Sequence, residues 1–288
     1  MKVKQLTLKF ADLPPKLRNI PTPPKQLYVL SHTNVNELFT RPSVTVIGSR
    51  KVSTYGTAVT SALTEELVKS GVVIISGLAL GVDSIAHSAA LRAGGQTIAV
   101  LPCGLHHIYP AQHRGLAVQI LEQGGALVSE YPPEDKAAHK YRFIERNRIA
   151  SGLCDALLIT EAAAKSGTLH TADFALEQGK DVLAVPGNIT SPTSAGTNNL
   201  IKSGASLVTS AADILHVLGI ATNTDMRSAP TSHDPNEQAI LSLLTAGISD
   251  GTILLQDSKL PVQLFNQTLT MLEIRGLIRP LGNNHWGL

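Results

Sequence analysis

Short apolar runs alternate with helical stretches from residue 44 to residue 218. This alternation constrains the fold more than any other feature of the chain. Runs at 44–47, 72–75, 97–101, 126–129, 156–160, 181–185 and 206–208 have the length and the Val/Ile/Leu content of buried strands. Between them the sequence predicts helices over 55–70, 82–93 and 110–123, a basic helix through 142–147, a helix ending near 178, a helical segment at 198–203 and a last helix ending near 218. Strands that alternate with helices form βαβ units, so the chain is read as α/β, a doubly wound and mostly parallel sheet. Ligands of such sheets bind outside the carboxyl ends of the strands. Those ends carry Gly48-Ser49-Arg50, Ser76-Gly77-Leu78, Pro102-Cys103-Gly104, Thr160-Glu161 and Pro186-Gly187, which are expected to converge on one crevice.

Two kinds of segment flank this core. Residues 1–41 are rich in proline and read as an extended N-terminal arm, with Leu13, Leu17, Ile20, Leu27 and Tyr28 available to pin it to the domain. Residues 42–218 form the main domain. Residues 219–234 are polar and poor in core residues, so they read as a linker. Residues 235–288 show three short helical patterns, then a hairpin with Gly282-Asn283-Asn284 at its turn, which is a winged-helix pattern. Its third helix, 261–275, carries one cation (Arg275) and one anion (Glu273), a balance that favours protein contact over DNA.

The stretch 141–171 carries the chemistry. It opens with Lys140, Arg142, Phe143, Arg146 and Arg148, continues into an apolar strand, and ends in Lys165-Ser166-Gly167-Thr168 at a helix start. On helical spacing Arg142 and Arg146 share one face, and Phe143 stacks over Asn147. Cations beside a projecting aromatic suit a single strand of nucleic acid, which needs phosphate contacts and a stacking surface. Backbone N–H groups and hydroxyls at a helix N-terminus suit a phosphate. The competing reading is a solvated amphipathic helix followed by an ordinary N-cap.

Charge narrows the location of such a site. The whole chain is only +2, but 219–288 holds four cations against six anions, which leaves +4 in residues 1–218. A polyanion is therefore expected on the first part of the chain. Cys103 and Cys154 give no disulfide framework and no zinc spacing, and both read as buried free thiols. No run approaches the roughly 18 apolar residues of a membrane span, and the first residues lack a secretory pattern. A cytoplasmic protein without membrane contact is expected. A dinucleotide site is disfavoured, because Gly48-Ser49-Arg50-Lys51 and Gly77-Leu78-Ala79-Leu80-Gly81 both fail G-x-G-x-x-G.

These motifs, taken together, carry a resemblance. VTVIGSRKVSTYG at 44–56, SGLALGVDSIAHSAAL at 76–91, GGQTIAVLPCGLHHIYP at 94–110, the long block from Arg142 to Asn188 and SAGTNNLIKSGA at 194–205 resemble the DNA-processing protein A family (DprA, also called Smf) over nearly the whole chain. The resemblance implies an extended Rossmann-like domain that binds single-stranded DNA, forms a homodimer and loads RecA recombinase during natural transformation and recombination. The implied DNA contacts are Arg50, Lys140, Phe143, Arg146, Asn147 and Arg114. The residue reading adds Gly48, Ser49, Arg142, Ser166, Gly167 and Thr168. The sequence departs from the family pattern at His106-His107, at His113 and at Ile144, and a short proline arm stands in place of a helical N-terminal domain.

Catalytic and metal readings are weaker. His106, His107 and His113 near Cys103 match no familiar metal spacing, so no metal or cofactor is expected. His87 follows Asp83 by four residues, a pair expected to order a helix. Glu161 could serve as a general base but shows no partner. The rival reading is a nucleotide phosphoribohydrolase-like enzyme on the same fold, whose loop has the form G-G-x-G-T-x-x-E. The loop here retains Gly167-Thr168, but Thr171 stands at the glutamate position and cannot stabilise an oxocarbenium-like state. Binding without catalysis is the expectation.

Overall fold

The computed structural model describes residues 4–136, 139–220, 232, 234–282 and 284–287, and the side chains of Lys140 and Arg279 lie outside that description. The chain divides into two compact units, 1–221 and 222–288. Most of the stretch read as a linker, 221–231 and 233, lies outside the described residues.

The first unit is a nine-stranded sheet. In chain order its elements are β1 (Lys4–Lys9), α1 (Pro15–Arg18), β2 (Gln26–Ser31), α2 (Val35–Thr40), β3 (Ser43–Ile47), α3 (Thr54–Lys69), β4 (Val73–Ser76), α4 (Val82–Arg92), β5 (Thr97–Val100), α5 (Arg114–Glu122), β6 (Ala126–Ser129), α6 (Lys140–Leu153), β7 (Ala156–Ile159), α7 (Leu169–Glu177), β8 (Asp181–Ala184), α8 (Ala195–Lys202), β9 (Ser206–Leu207) and α9 (Ala211–Val217). The spatial order is β1-β2-β6-β5-β4-β3-β7-β8-β9. The seven strands from β6 to β9 are parallel, as the alternation predicts. β3 to β7 are buried on both faces. This is why they read as continuous apolar runs rather than alternating ones.

The N-terminal segment is not an extended arm. β1 and β2 extend the sheet, with β2 antiparallel to both β1 and β6 and Tyr28 opposite Ser129. The physical reason lies in 26–31, where Leu27, Val29 and Ser31 point inward at period two. The anchors do engage. Leu13, Leu17, Ile20 and Leu27 are buried in one cluster with Ile149 and Leu153 of α6. A Cβ on Gly152 would lie 2.9 Å from Leu17 Cδ1, so the segment packs directly on the basic helix.

Local chemistry places the helix starts. Ser53 accepts from Gly56 N at 3.0 Å and caps α3. Ser210 and Asp213 form a capping box on α9. In the second unit α10 (Pro235–Thr245), α11 (Gly251–Ser258) and α12 (Val262–Ile274) precede an antiparallel pair, β10 (Arg279–Gly282) and β11 (His285–Gly287). Asp234 caps α10 just before a proline at its first position, and Asp250 caps α11. Ile240, Leu241, Leu254, Phe265, Leu269 and Leu272 form that unit's own core.

Candidate nucleic-acid interface

A crevice of about 890 Å³ opens at the carboxyl ends of β3, β4 and β7. Its walls include Gly48, Ser49, Arg50 and Lys51 after β3, Lys165, Ser166, Gly167 and Thr168 before α7, and Phe143, Arg146 and Asn147 from α6. The sequence therefore placed most of its candidates together. Not every strand end converges there. Gly104 packs under the carbonyls of Pro132 and Pro133, and Gly187 lines a second hollow with Ser53 and Tyr55.

Close backbone approach shapes the rim. Ser49 N donates to Glu161 O at 2.7 Å, and Val82 N donates to Ser49 O at 3.1 Å. A Cβ on Gly48 would lie 2.7 Å from Glu161 O, so only glycine lets the two turns meet. Thr168 Oγ1 donates to Gly48 O at 3.1 Å and ties the opposite loop to the same turn. Ser166 Oγ accepts from Thr168 N at 3.2 Å, so that N–H is already spent within the loop.

Phe143 is half-buried and belongs to no core cluster. Its ring meets Tyr109 edge-on at 5.3 Å, and the Arg50 guanidinium carbon lies 5.2 Å from its centroid. Arg50, Lys51 and Lys165 are exposed and make no ion pair among the described residues. They are the crevice's available cations.

The other arginines of the stretch differ from expectation. Arg142 does not line the crevice; it pairs with Asp135 at 2.9 Å and lies 4.1 Å over the Tyr131 ring. Arg146 reaches the crevice but is 6 % exposed. Its Nη1 donates to Gly77 O at 2.6 Å and also to Val100 O, and its Nε donates to Asn147 Oδ1 at 3.2 Å. A Cβ on Gly77 would lie 2.3 Å from Nη1, which shows how closely the turn wraps the guanidinium. Burial lowers the Arg146 pKa, opposed by the Asp83 carboxylate. The resemblance implies that Arg146 contacts DNA, whereas its Nη1 is held by the strand-end carbonyls. Arg114 is exposed at the start of α5 and lies outside the lining residues. Lys140 opens α6, with its side chain outside the described residues.

The titratable groups near the crevice are bound elsewhere. Asp83 Oδ2 accepts from Gly77 N at 3.1 Å and Ala79 N at 3.4 Å, so it holds the β4–α4 turn and not His87. Burial raises the Asp83 pKa, while Arg146, the two N–H donors and Arg50 oppose that rise. Thr97 Oγ1 donates to Ile74 O at 2.7 Å, so His87 Nδ1, 2.7 Å away, must be the donor to it. Burial is the main reason the His87 pKa falls to about 3, which keeps the ring neutral with its proton on Nδ1. Glu161 accepts from Ser53 Oγ at 2.8 Å and Ser53 N at 3.1 Å, which makes it part of the α3 start. His106, His107 and His113 each meet a different partner: Gln5, Glu134 O and Leu78 O.

Sequence reasoning missed Tyr109 as an aromatic partner. It lies on the loop before α5, and only the tertiary fold sets it against Phe143.

The sheet order, with a crevice at the strand ends that Arg50, Lys51 and Lys165 line, defines a Rossmann-like α/β protein. More narrowly, the chain belongs to the DNA recombination-mediator protein A family, whose model matches residues 4–219. It is 47% identical over 205 residues to protein Smf of Escherichia coli, covering 71% of this chain and 54% of that one. It is 40% identical over 202 residues to the DNA processing protein DprA of Bacillus subtilis, covering 70% and 67%. Among solved structures, Streptococcus pneumoniae DprA matches with a TM-score of 0.68 and 38% identity over 74% of each chain. Helicobacter pylori DprA, described with a single-stranded DNA binding mode, matches with a TM-score of 0.66 and 34% identity over 75% of this chain and 95% of that one. The chain spans about half the length of the Escherichia coli relative.

Proposed function

We propose that the crevice binds single-stranded DNA. Phosphates meet Arg50, Lys51, Lys165 and the Ser166-Gly167-Thr168 loop, and a base stacks on Phe143. The observation that carries this reading is Arg50 held 5.2 Å from the Phe143 centroid inside one crevice, with no ion pair among the described residues. That contact sets a phosphate-seeking cation beside a π face, the combination that tracks a single strand. Gly48, Ser49 and Asn147 shape the same wall, and Arg114 and Lys140 lie outside it or outside the described side chains. Arg146 acts as a positioning residue. Arg142 acts by holding the segment before α6.

Catalysis is not part of the reading. Thr171 occupies the position where the hydrolase loop has its glutamate and is 2 % exposed. Glu161 is committed to Ser53, and Asp83 to the β4–α4 turn. No helix among the described residues is long and apolar enough to cross a membrane. Membership of the family supports the further reading that the chain protects incoming DNA in the cytoplasm and loads RecA during natural transformation and recombination. It acts as a homodimer, and residues 235–288 form a winged-helix domain.

Photo-crosslinking tests the site. A single-stranded oligonucleotide carrying 5-iodouracil should crosslink to Phe143 or Tyr109 on peptide mapping. Crosslinks confined to the second unit would overturn the reading.

A further inference from the structure

Beside the crevice lies the second hollow, of about 500 Å³, whose walls include Ser53, Tyr55, Pro186, Asn188, Ser191 and Ser194. Two stretches of chain run from one site into the other. Lys51 lines the crevice and Ser53 the hollow; Thr193 lines the crevice and Ser194 the hollow. Consecutive Cα atoms lie about 3.8 Å apart, and a stacked strand advances about 3.4 Å per nucleotide. A strand held in the crevice therefore reaches the hollow within a few nucleotides.

The hollow differs from the crevice in charge. Its lining residues among the described residues are all uncharged, and Ser53 Oγ is bonded to the Glu161 carboxylate at 2.8 Å. A phosphate would find no cation there and a carboxylate close by, whereas an uncharged base meets no such penalty. The volume is ordinary for a small-ligand site.

Tyr55 and Ser194 are placed to receive a base. Tyr55 is 48 % exposed, and its hydroxyl donates to Pro186 O at 2.8 Å, so the ring is fixed in the wall. Ser194 is only 5 % exposed and stands at the N-cap of α8, yet its side chain makes no capping bond. Its hydroxyl has no hydrogen-bond partner among the described residues. Neighbouring hydroxyls of the same loop are engaged: Thr190 Oγ1 donates to Asn188 Oδ1 at 2.9 Å, and Ser191 and Thr193 bond each other at 2.9 Å. Asn198 holds Gly187 through both its N–H and its carbonyl, at 3.1 and 3.0 Å, and a Cβ on Gly187 would run into Ser194 Oγ. The loop is thus fixed with the Ser194 hydroxyl left over. A hydroxyl both donates and accepts, so it suits the edge of any base.

We propose that this hollow is a second subsite, which takes a base of the strand bound in the crevice, stacked on Tyr55 and bonded at its edge by Ser194. It rests on the single-stranded DNA reading of the crevice.

Competitive fluorescence anisotropy on the full chain at fixed salt, with oligothymidylates of increasing length from a dinucleotide upward, tests this. Affinity should rise by about tenfold where the strand becomes long enough to fill both sites, the size of one base–aromatic stack. Tyr55→Ala should remove that rise and leave shorter strands bound as before, and Tyr55→Phe should retain most of it. An abasic residue at the added position should remove the rise in the unaltered protein and cost nothing further in Tyr55→Ala. Ser194→Ala should lose about threefold on the longer strands only. Should Tyr55→Ala fail to fold, the abasic strand and Ser194→Ala decide. A rise that survives both substitutions, a loss spread equally over every length, or no rise in the unaltered protein overturns the second subsite and leaves the crevice reading intact. Failure of the unaltered protein to bind a strand of any length overturns both.

Discussion

The guanidinium carbon of Arg50 lies 5.2 Å from the centroid of the Phe143 ring. One residue comes from the turn after β3 and the other from α6, so a cation and an aromatic nearly a hundred positions apart share one wall. In an anion-binding crevice this pairing divides the labour. The cation meets phosphate, and the ring offers its face to a base.

Phe143 should act through stacking. Phe143→Ala should weaken single-strand binding by roughly 1–3 kcal/mol while leaving the salt slope almost unchanged. Phe143→Tyr and Phe143→Trp should keep most of the affinity, because any π face serves. Melting temperatures should stay near that of the unaltered protein, since the ring is half-buried outside the core clusters. A drop typical of a core truncation, about 3–5 kcal/mol, would instead make Phe143 a packing residue.

Arg50 and Arg146 should separate cleanly. Arg50→Ala should flatten the logarithmic salt dependence by about 0.7 for one lost single-strand phosphate contact, with unchanged stability. Arg146→Ala should cost stability, roughly 3–5 kcal/mol, because it strands the Gly77 and Val100 carbonyls and leaves Asp83 without its countercharge. Gly77→Ala should resemble it, since the added Cβ would lie 2.3 Å from Arg146 Nη1. Single-strand titration over a salt series checks the Arg50 slope, and chemical denaturation of the three variants checks their stability. Full stability of Arg146→Ala would contradict the positioning role.

This contrast marks what the sequence could and could not say. The parallel strands were legible because burial on both faces forces continuous apolar runs. The crevice was legible because its glycines and hydroxyls sit at strand ends. The fate of each arginine was not. Arg142 and Arg146 share a helical face in sequence, yet one is drawn to Asp135 and Tyr131 and the other to strand-end carbonyls. Only long-range packing decides between such partners. The N-terminal strands were missed for a different reason: the prolines around them masked the period-two pattern of Leu27, Val29 and Ser31.

His87 should make stability depend on acid. Its native pKa of about 3 lies below its ordinary value near 6.5, so the unfolded chain binds more protons between those limits. Its contribution is complete above the ordinary value and falls as pH drops towards about 3, by up to about 1.4 kcal/mol per pH unit. Urea denaturation of the unaltered protein and His87→Gln from pH 7 to pH 4 should show a shallower loss for the variant. Parallel curves would contradict this.

The first unit should suffice for DNA. Residues 1–221 form a compact body, and residues 1–218 carry the net charge of +4. A truncation after residue 221 should remain folded and keep most of the single-strand affinity. A folded truncation that no longer binds would place the principal contacts in residues 222–288.

The central claim is that a crevice with three available cations and a stacking ring among the described residues accepts one strand and not a duplex. Affinity for a single strand and for a duplex of the same sequence, titrated over a salt series with the full chain, tests it most directly. The single strand should bind more tightly at every salt concentration, with a log–log slope of about −2 for three neutralised phosphates. Its advantage should shrink in Phe143→Ala. Equal or tighter binding of the duplex, unaffected by Phe143→Ala, would contradict the claim.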